Sequence, residues 1–195
     1  MPTFALDTAS PSPSLALVRD DGPVAELWLA PDPGSGRRAL EAAHGLLTAA
    51  GLTVRSLDGI VVGVGPGGFT GLRIGLATAL GLGQAVGIPV AGASSLEALA
   101  LGIASAAPGA ALVAPVLDAR RGELFAALYR AAPDGGLAEL VPPRAVAPAL
   151  LAEELAATGE EVWVGGDGVG ADGGALARPG IRVLYMSGYT ENAIV

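Results

Sequence analysis

Between Gly59 and Leu96 the chain carries no aspartate or glutamate, and Arg73 is its one charge there. Inside this stretch lies Gly65-Pro-Gly-Gly-Phe-Thr-Gly-Leu-Arg-Ile-Gly75. A segment so poor in charge must be largely buried, and its glycines imply that something approaches the backbone closely. Gly59–Val64 reads as a continuous apolar strand of the kind covered on both faces. Phe69–Val86 reads as a helix and Pro89–Ala91 as a short strand. Pro66-Gly67-Gly68 supplies the turn between strand and helix, with Thr70 as a candidate cap. Within the helix Gly71, Gly75 and Ala79 recur every four residues, with Thr78 alongside. Each interior glycine costs about 1 kcal/mol relative to alanine, so the set needs a compensating gain. A smooth stripe lets another backbone come close. That gain is either packing within the domain or a subunit interface, with Arg73 as a hydrogen-bonding anchor at its rim.

A phosphate cradle is the competing reading. Gly63-x-Gly65-x-x-Gly68 follows a strand and opens a helix, as a dinucleotide fingerprint does. That fingerprint also requires an acidic residue about 20 positions later to hold the ribose. None is present, and no Lys-Ser/Thr pair follows the glycines as a P-loop needs. Phe69–Ala91 is also about long enough to span a bilayer, but Arg73, its glycines and Pro89 favour a buried helix and strand.

The rest of the chain supplies the frame. Pro2–Asp7, Ser14–Arg19 and Val24–Leu29 read as strands separated by turn-rich segments. Leu40, Ala43, Leu47 and Ala50 give a helix over Arg37–Ala50 that stops at Gly51. Ser94–Ile103 forms a third helix, with Ser94 or Ser95 as its cap. After a hinge at Ala104–Ala111 the order partly repeats: strands at Leu112–Leu117, Gly122–Arg130 and Ala138–Val141, a helix at Pro148–Thr158, a strand at Glu161–Val164. Two such lobes, 1–105 and 106–195, predict an α/β fold of the actin-like ATPase (ribonuclease-H-like) type, each lobe a mixed sheet flanked by helices. At 195 residues with 51% hydrophobic content, there is material for both cores.

Charge narrows the partners. The net charge is −8, and the basic pairs are limited to Arg37-Arg38 and Arg120-Arg121, so direct nucleic-acid binding by this chain alone is disfavoured. Cysteine is absent, which excludes disulfides and thiolate metal sites. The chain opens directly on a strand with no signal-like segment, and is expected to be cytoplasmic.

The glycine-rich string closely resembles the GPGSFTGLRIG signature of the TsaB family, also called YeaZ. Ala5-Leu-Asp-Thr8, Gly92-Ala-Ser-Ser-Leu-Glu97 and Leu117-Asp-Ala-Arg-Arg-Gly-Glu123 follow in the family's order and spacing, so the resemblance spans about residues 1–170. It implies a non-catalytic, activating subunit. Its partner is TsaD, which transfers a threonylcarbamoyl group to the adenosine beside the tRNA anticodon. A TsaE-type ATPase joins the pair, and the subunit can pair with itself when alone. The implied contact uses the two helices of the first lobe, with Leu40, Leu47, Gly71, Arg73, Ile74, Gly75, Thr78, Ala79 and Leu82 as the partner-binding set.

Catalytic readings have less to build on. His44 is the single histidine, whereas TsaD-type subunits hold a metal with a His-x-x-x-His pair, so no metal site is expected. Hydrolysis by Ser94 or Ser95 would need an imidazole base, and nothing in the sequence brings His44 near them. The alternative is a weak nucleotide-binding ATPase of the actin-like class. Asp7 with Thr8, Asp118 at the matching point of the second lobe, and Gly166 in Gly165-Gly-Asp-Gly168 would then form a vestigial site, the carboxylates holding Mg²⁺ through waters. Asp7-Thr-Ala-Ser10 lacks the glycine such phosphate loops carry, and capping by Asp7 and Asp118 is the plainer reading. No cofactor is expected in this chain itself, ATP and Mg²⁺ belonging to the complex.

From about residue 171 the family pattern stops. Residues 178–195 instead resemble the last strand and switch loop of a receiver domain, without its phospho-acceptor region. The family resemblance implies a further helix packing back on the first lobe, so the second lobe is expected to be truncated. Ile181–Met186 is expected to serve as an edge strand.

Overall fold

The computed structural model describes residues 1–31, 35–171 and 174–184, with residues 35–37 described through their backbone only. It divides into two compact units, Met1–Ser95 and Leu96–Val195.

In the first unit the alternation of the opening strands dictates the core. Strands β1 (Thr3–Asp7), β2 (Ser14–Arg19) and β3 (Gly22–Trp28) form an antiparallel meander. Helix α1 (Ser35–Ala49) leads to β4 (Gly59–Gly63), and α2 (Phe69–Val86) leads to β5 (Val90–Ala93). The sheet order is β3-β2-β1-β4-β5, with β1, β4 and β5 parallel. Phe4, Leu6, Leu15, Leu17, Ile60 and Val62 point to one face and are all buried. They pack with Ala43, Leu46 and Leu47 of α1 and Ala79 of α2. Gly51 ends α1 and Gly87 ends α2, both left-handed (φ 68° and 76°), and the Gly87 amide donates to the Gly83 carbonyl.

The second unit repeats this order. Strands β6 (Leu112–Arg120), β7 (Glu123–Ala131) and β8 (Leu137–Val146) form a meander, followed by α4 (Pro148–Ala157), β9 (Val162–Gly165) and β10 (Ile181–Leu184). The sheet order is β10-β9-β6-β7-β8, with β6, β9 and β10 parallel. Leu151, Ala152 and Leu155 of α4 pack on one face, against Leu112, Ala114, Val116 and Ala126. Helix α3 (Ser95–Ala106) packs on the other, through Leu96, Ala100 and Ile103 against Val113, Leu117 and Tyr129.

This packing moves the boundary from the expected 105/106 to Ser95/Leu96, because the apolar stripe of α3 joins the second core. The expected edge strand is present over Ile181–Leu184, paired with β9; Tyr185 and Met186, and the remainder of the receiver-like tail, lie outside the described residues. Pro142 and Pro143 sit in β8, an edge strand, where a missing amide donor is tolerated. Among the described residues, no helix is long and apolar enough to cross a membrane.

Candidate docking face and strand-end aspartates

The glycine stripe of α2 faces its own sheet. A Cβ on Gly71 would collide with the Thr8 carbonyl, one on Gly75 with the Thr8 hydroxyl, and one on Gly83 with the Val90 side chain. Gly67 is similarly tight, its Cβ position 2.6 Å from the Ala9 carbonyl oxygen. The Thr8 hydroxyl donates to the Gly71 carbonyl at 2.7 Å, and the Gly68 amide donates to the Ala9 carbonyl at 2.6 Å. The glycines therefore clasp α2 onto the turn after β1. The compensating gain is packing inside the unit.

This corrects part of the expected partner-binding set. Gly75 and Ala79 are buried against the sheet, Leu47 lies in the core, and Leu82 packs against that core. Gly71 is half-buried under Thr8, and Ile74 and Thr78 are half-buried on a flank of the helix. Arg73 and Leu40 are exposed. Thr70 is not the cap: α2 begins after Gly68, whose lack of a side chain leaves the first turn to the Ala9 carbonyl. The Ser95 hydroxyl is engaged as well, accepting from the Gly65 amide at 3.2 Å.

The outer face of α2 has a different character. Phe69 is 72% exposed and Leu80 56%, with Arg73 and Ala77 exposed between them. The Arg73 guanidinium lies 5.1 Å from the Phe69 ring centroid, a cation–π contact that holds both side chains along the helix. Leu40 of α1 is 52% exposed. Sequence reasoning missed Phe69 and Leu80 because it followed the glycines. A helical projection of Phe69–Val86 would have found them opposite the stripe. At the C-terminal ends of α1 and α2 there is also a groove of about 420 Å³, lined in part by His44, Leu47, Leu52, Val54, Arg55 and Val86.

The phosphate-cradle reading finds its space taken. Where phosphate oxygens would sit against Gly67 and Gly71, the Thr8–Ala9 backbone is already present. Asp7 and Asp118 occur in different units and do similar local work. Asp7 Oδ1 accepts from the Ala9 amide at 2.6 Å, and Asp118 Oδ1 accepts from the Arg120 amide at 2.7 Å. The Asp7 carboxylate thus closes the turn that follows β1, an Asx turn, whereas that of Asp118 braces the irregularity near the end of β6. Asp118 also pairs with the Arg120 guanidinium at 3.3 Å. Gly166 packs its α-carbon on the Val116 carbonyl, and Asp167 Oδ1 accepts the Asp118 amide at 3.2 Å. Crowding of the Asp167 carboxyl by protein raises its pKa above the ordinary value, against the lowering effect of the Asp118 amide. Among the described residues no cluster of histidine and acidic side chains could hold a metal.

The family model described as TsaD, tRNA N6-adenosine threonylcarbamoyltransferase, matches residues 35–141. The tRNA threonylcarbamoyladenosine biosynthesis protein TsaB of Bacillus subtilis is 37% identical over 143 residues, 73% of this chain and 60% of that protein. TsaB of Escherichia coli is 36% identical over 130 residues, 67% of this chain and 55% of that protein. The solved structure of YeaZ from Pseudomonas aeruginosa superposes with a TM-score of 0.78 at 27% identity, covering 96% of this chain and 84% of that one. This chain belongs to the TsaB (YeaZ) family. It spans 55–60% of the length of the two curated TsaB relatives. The fold is the actin-like α/β fold expected from the order of elements, and YeaZ shares it across both units.

Proposed function

We propose that this chain is a non-catalytic partner subunit in formation of threonylcarbamoyladenosine on tRNA. In this reading it docks on a TsaD-type catalytic subunit through the outer faces of α1 and α2. A TsaE-type ATPase joins that pair, tRNA is met only through the assembly, and the site of action is the cytoplasm. Membership of a family whose curated relatives are TsaB biosynthesis proteins supports the pathway. The observation that carries the docking role is the outer stripe of α2, where Phe69 and Leu80 stand exposed on a helix whose other face is fully used. Large exposed apolar side chains held together on a rigid helix are what a protein interface consumes.

The test is co-expression with a TsaD protein from the same genome, followed by size-exclusion chromatography. Leu80→Arg and Phe69→Asp should each abolish co-elution, by placing an unpaired charge in the buried interface, while leaving the circular dichroism spectrum intact. Retained co-elution in both variants would sink the assignment. Gly75→Leu is unsuited to this purpose, because its side chain would strike Thr8 and disturb the unit itself.

A further inference from the structure

The charges of this chain are segregated. Residues 35–95 hold four arginines (37, 38, 55 and 73) against Glu41 and Asp58, while the other residues hold seven arginines against seventeen acids. The α1–α2 region is therefore weakly basic within a strongly acidic protein, and α2 carries no acid at all. The groove at the ends of these helices follows the same pattern. Leu47, Leu52, Val54 and Val86 make its apolar wall, Arg55 and His44 are exposed at it, and no carboxylate lines it. Leu52 is fixed by donating its amide to the Leu47 carbonyl, and Val54-Arg55-Ser56 form a short 3-10 turn closed by Thr53 and Ser56. Hydrogen bonds thus fix the backbone of the Leu52–Ser56 wall of the groove.

We propose that this groove receives an apolar side chain flanked by a carboxylate, supplied by the catalytic subunit docked on α1 and α2. The apolar wall takes the side chain and Arg55 takes the carboxylate. The inference rests on the docking reading above and adds the chemistry of the partner: its surface is acidic where this one is basic. Complementary fields of this kind steer association and select partners. They also act against a second copy as occupant. A two-fold pairing would set this acid-poor, net-basic patch against an equal one, where the catalytic subunit is free to supply the acid.

The experiment measures affinity for the co-expressed TsaD protein by calorimetry, for the native chain and for Arg55→Glu, Arg55→Lys and Leu80→Arg. Arg55→Glu is expected to weaken binding by about tenfold or more and Arg55→Lys much less, with the native affinity falling as salt rises from about 50 to 500 mM. Loss of binding in Leu80→Arg with Arg55→Glu unaffected would overturn the groove and spare the docking face. Unaltered binding in Leu80→Arg, together with retained co-elution of Phe69→Asp, would overturn the docking reading itself. A native chain that self-associates more tightly than it binds TsaD would overturn the partner selection argued from charge.

Discussion

The two units are the same topology executed with different material between the last two strands. In the first, β4 and β5 are joined through α2, eighteen residues long. In the second, β9 and β10 are joined through a segment whose described helix is the five-residue 3-10 turn Asp167–Ala171. Both begin with a meander whose first strand carries an aspartate at or near its end, and both pack a glycine loop on that end. What differs is what the glycine loop then launches. The repeated parts answer to folding, so the part present once among the described residues is where a function of this chain is best sought. On that ground α2 is the helix we propose for docking, and Asp7 and Asp118 brace the ends of their strands.

The comparison breaks first at the glycine clasp. Gly71→Val pushes a branched side chain into the Thr8 carbonyl, and Gly166→Ala combines a collision with the Val116 carbonyl and a φ of 125°. Each should destabilise its unit by about 3 kcal/mol or more, read as a lowered midpoint in urea. Gly81 of α2 has open space around its Cβ position and should behave oppositely, Gly81→Ala adding up to about 1 kcal/mol of helix propensity. If all three glycines respond alike, the distinction between clasp and outer face is wrong.

The next test concerns the paired aspartates. Asp7→Ala removes a part-buried bond to the Ala9 amide and should cost about 1–2 kcal/mol. Asp118→Ala removes an exposed bond and ion pair, and should cost about 0.5–1 kcal/mol. Calorimetry with ATP and Mg²⁺ on the same variants separates this from the nucleotide-site reading. Heat in the native chain that disappears in either variant would restore a ligand role to the pair.

Much of this was legible in the residues. Period-two alternation in Pro2–Asp7 and Ser14–Arg19, stops at Gly51 and Gly87, and the apolar run after Gly59 placed the strands and helices within a few positions. The orientation of α2 was not legible. Glycines at 71 and 75 state that something comes close, but sequence cannot say whether it is Thr8 in the same chain or a helix in another. Helix α3 escaped for a related reason. Ala and Leu occupy nearly all its sides, so its apolar residues do not name the sheet they will cover. The 3-10 turn behind the groove was invisible because Thr53 and Ser56 satisfy it through side-chain bonds that leave no periodic trace.

The smallest effect belongs to Asp167, which follows β9 where the Gly65–Gly68 loop follows β4. Its pKa stands above the ordinary 3.8, with desolvation the main cause, although the residue keeps an exposed surface. The folded state therefore holds its proton more tightly than the unfolded chain. Stability is highest below the ordinary value, falls as pH rises from 3.8 toward the raised pKa, and stays reduced above it. Asp167→Asn keeps an oxygen for the Asp118 amide and removes the charge. Thermal melts should show the variant at or slightly above the native chain at neutral pH, with the gap closing below about pH 3.8, where both side chains are neutral. A gap that persists in acid would mean that the loop values this position for shape alone. The second unit would then lack any electrostatic cost at the point where the first unit places only glycine and proline.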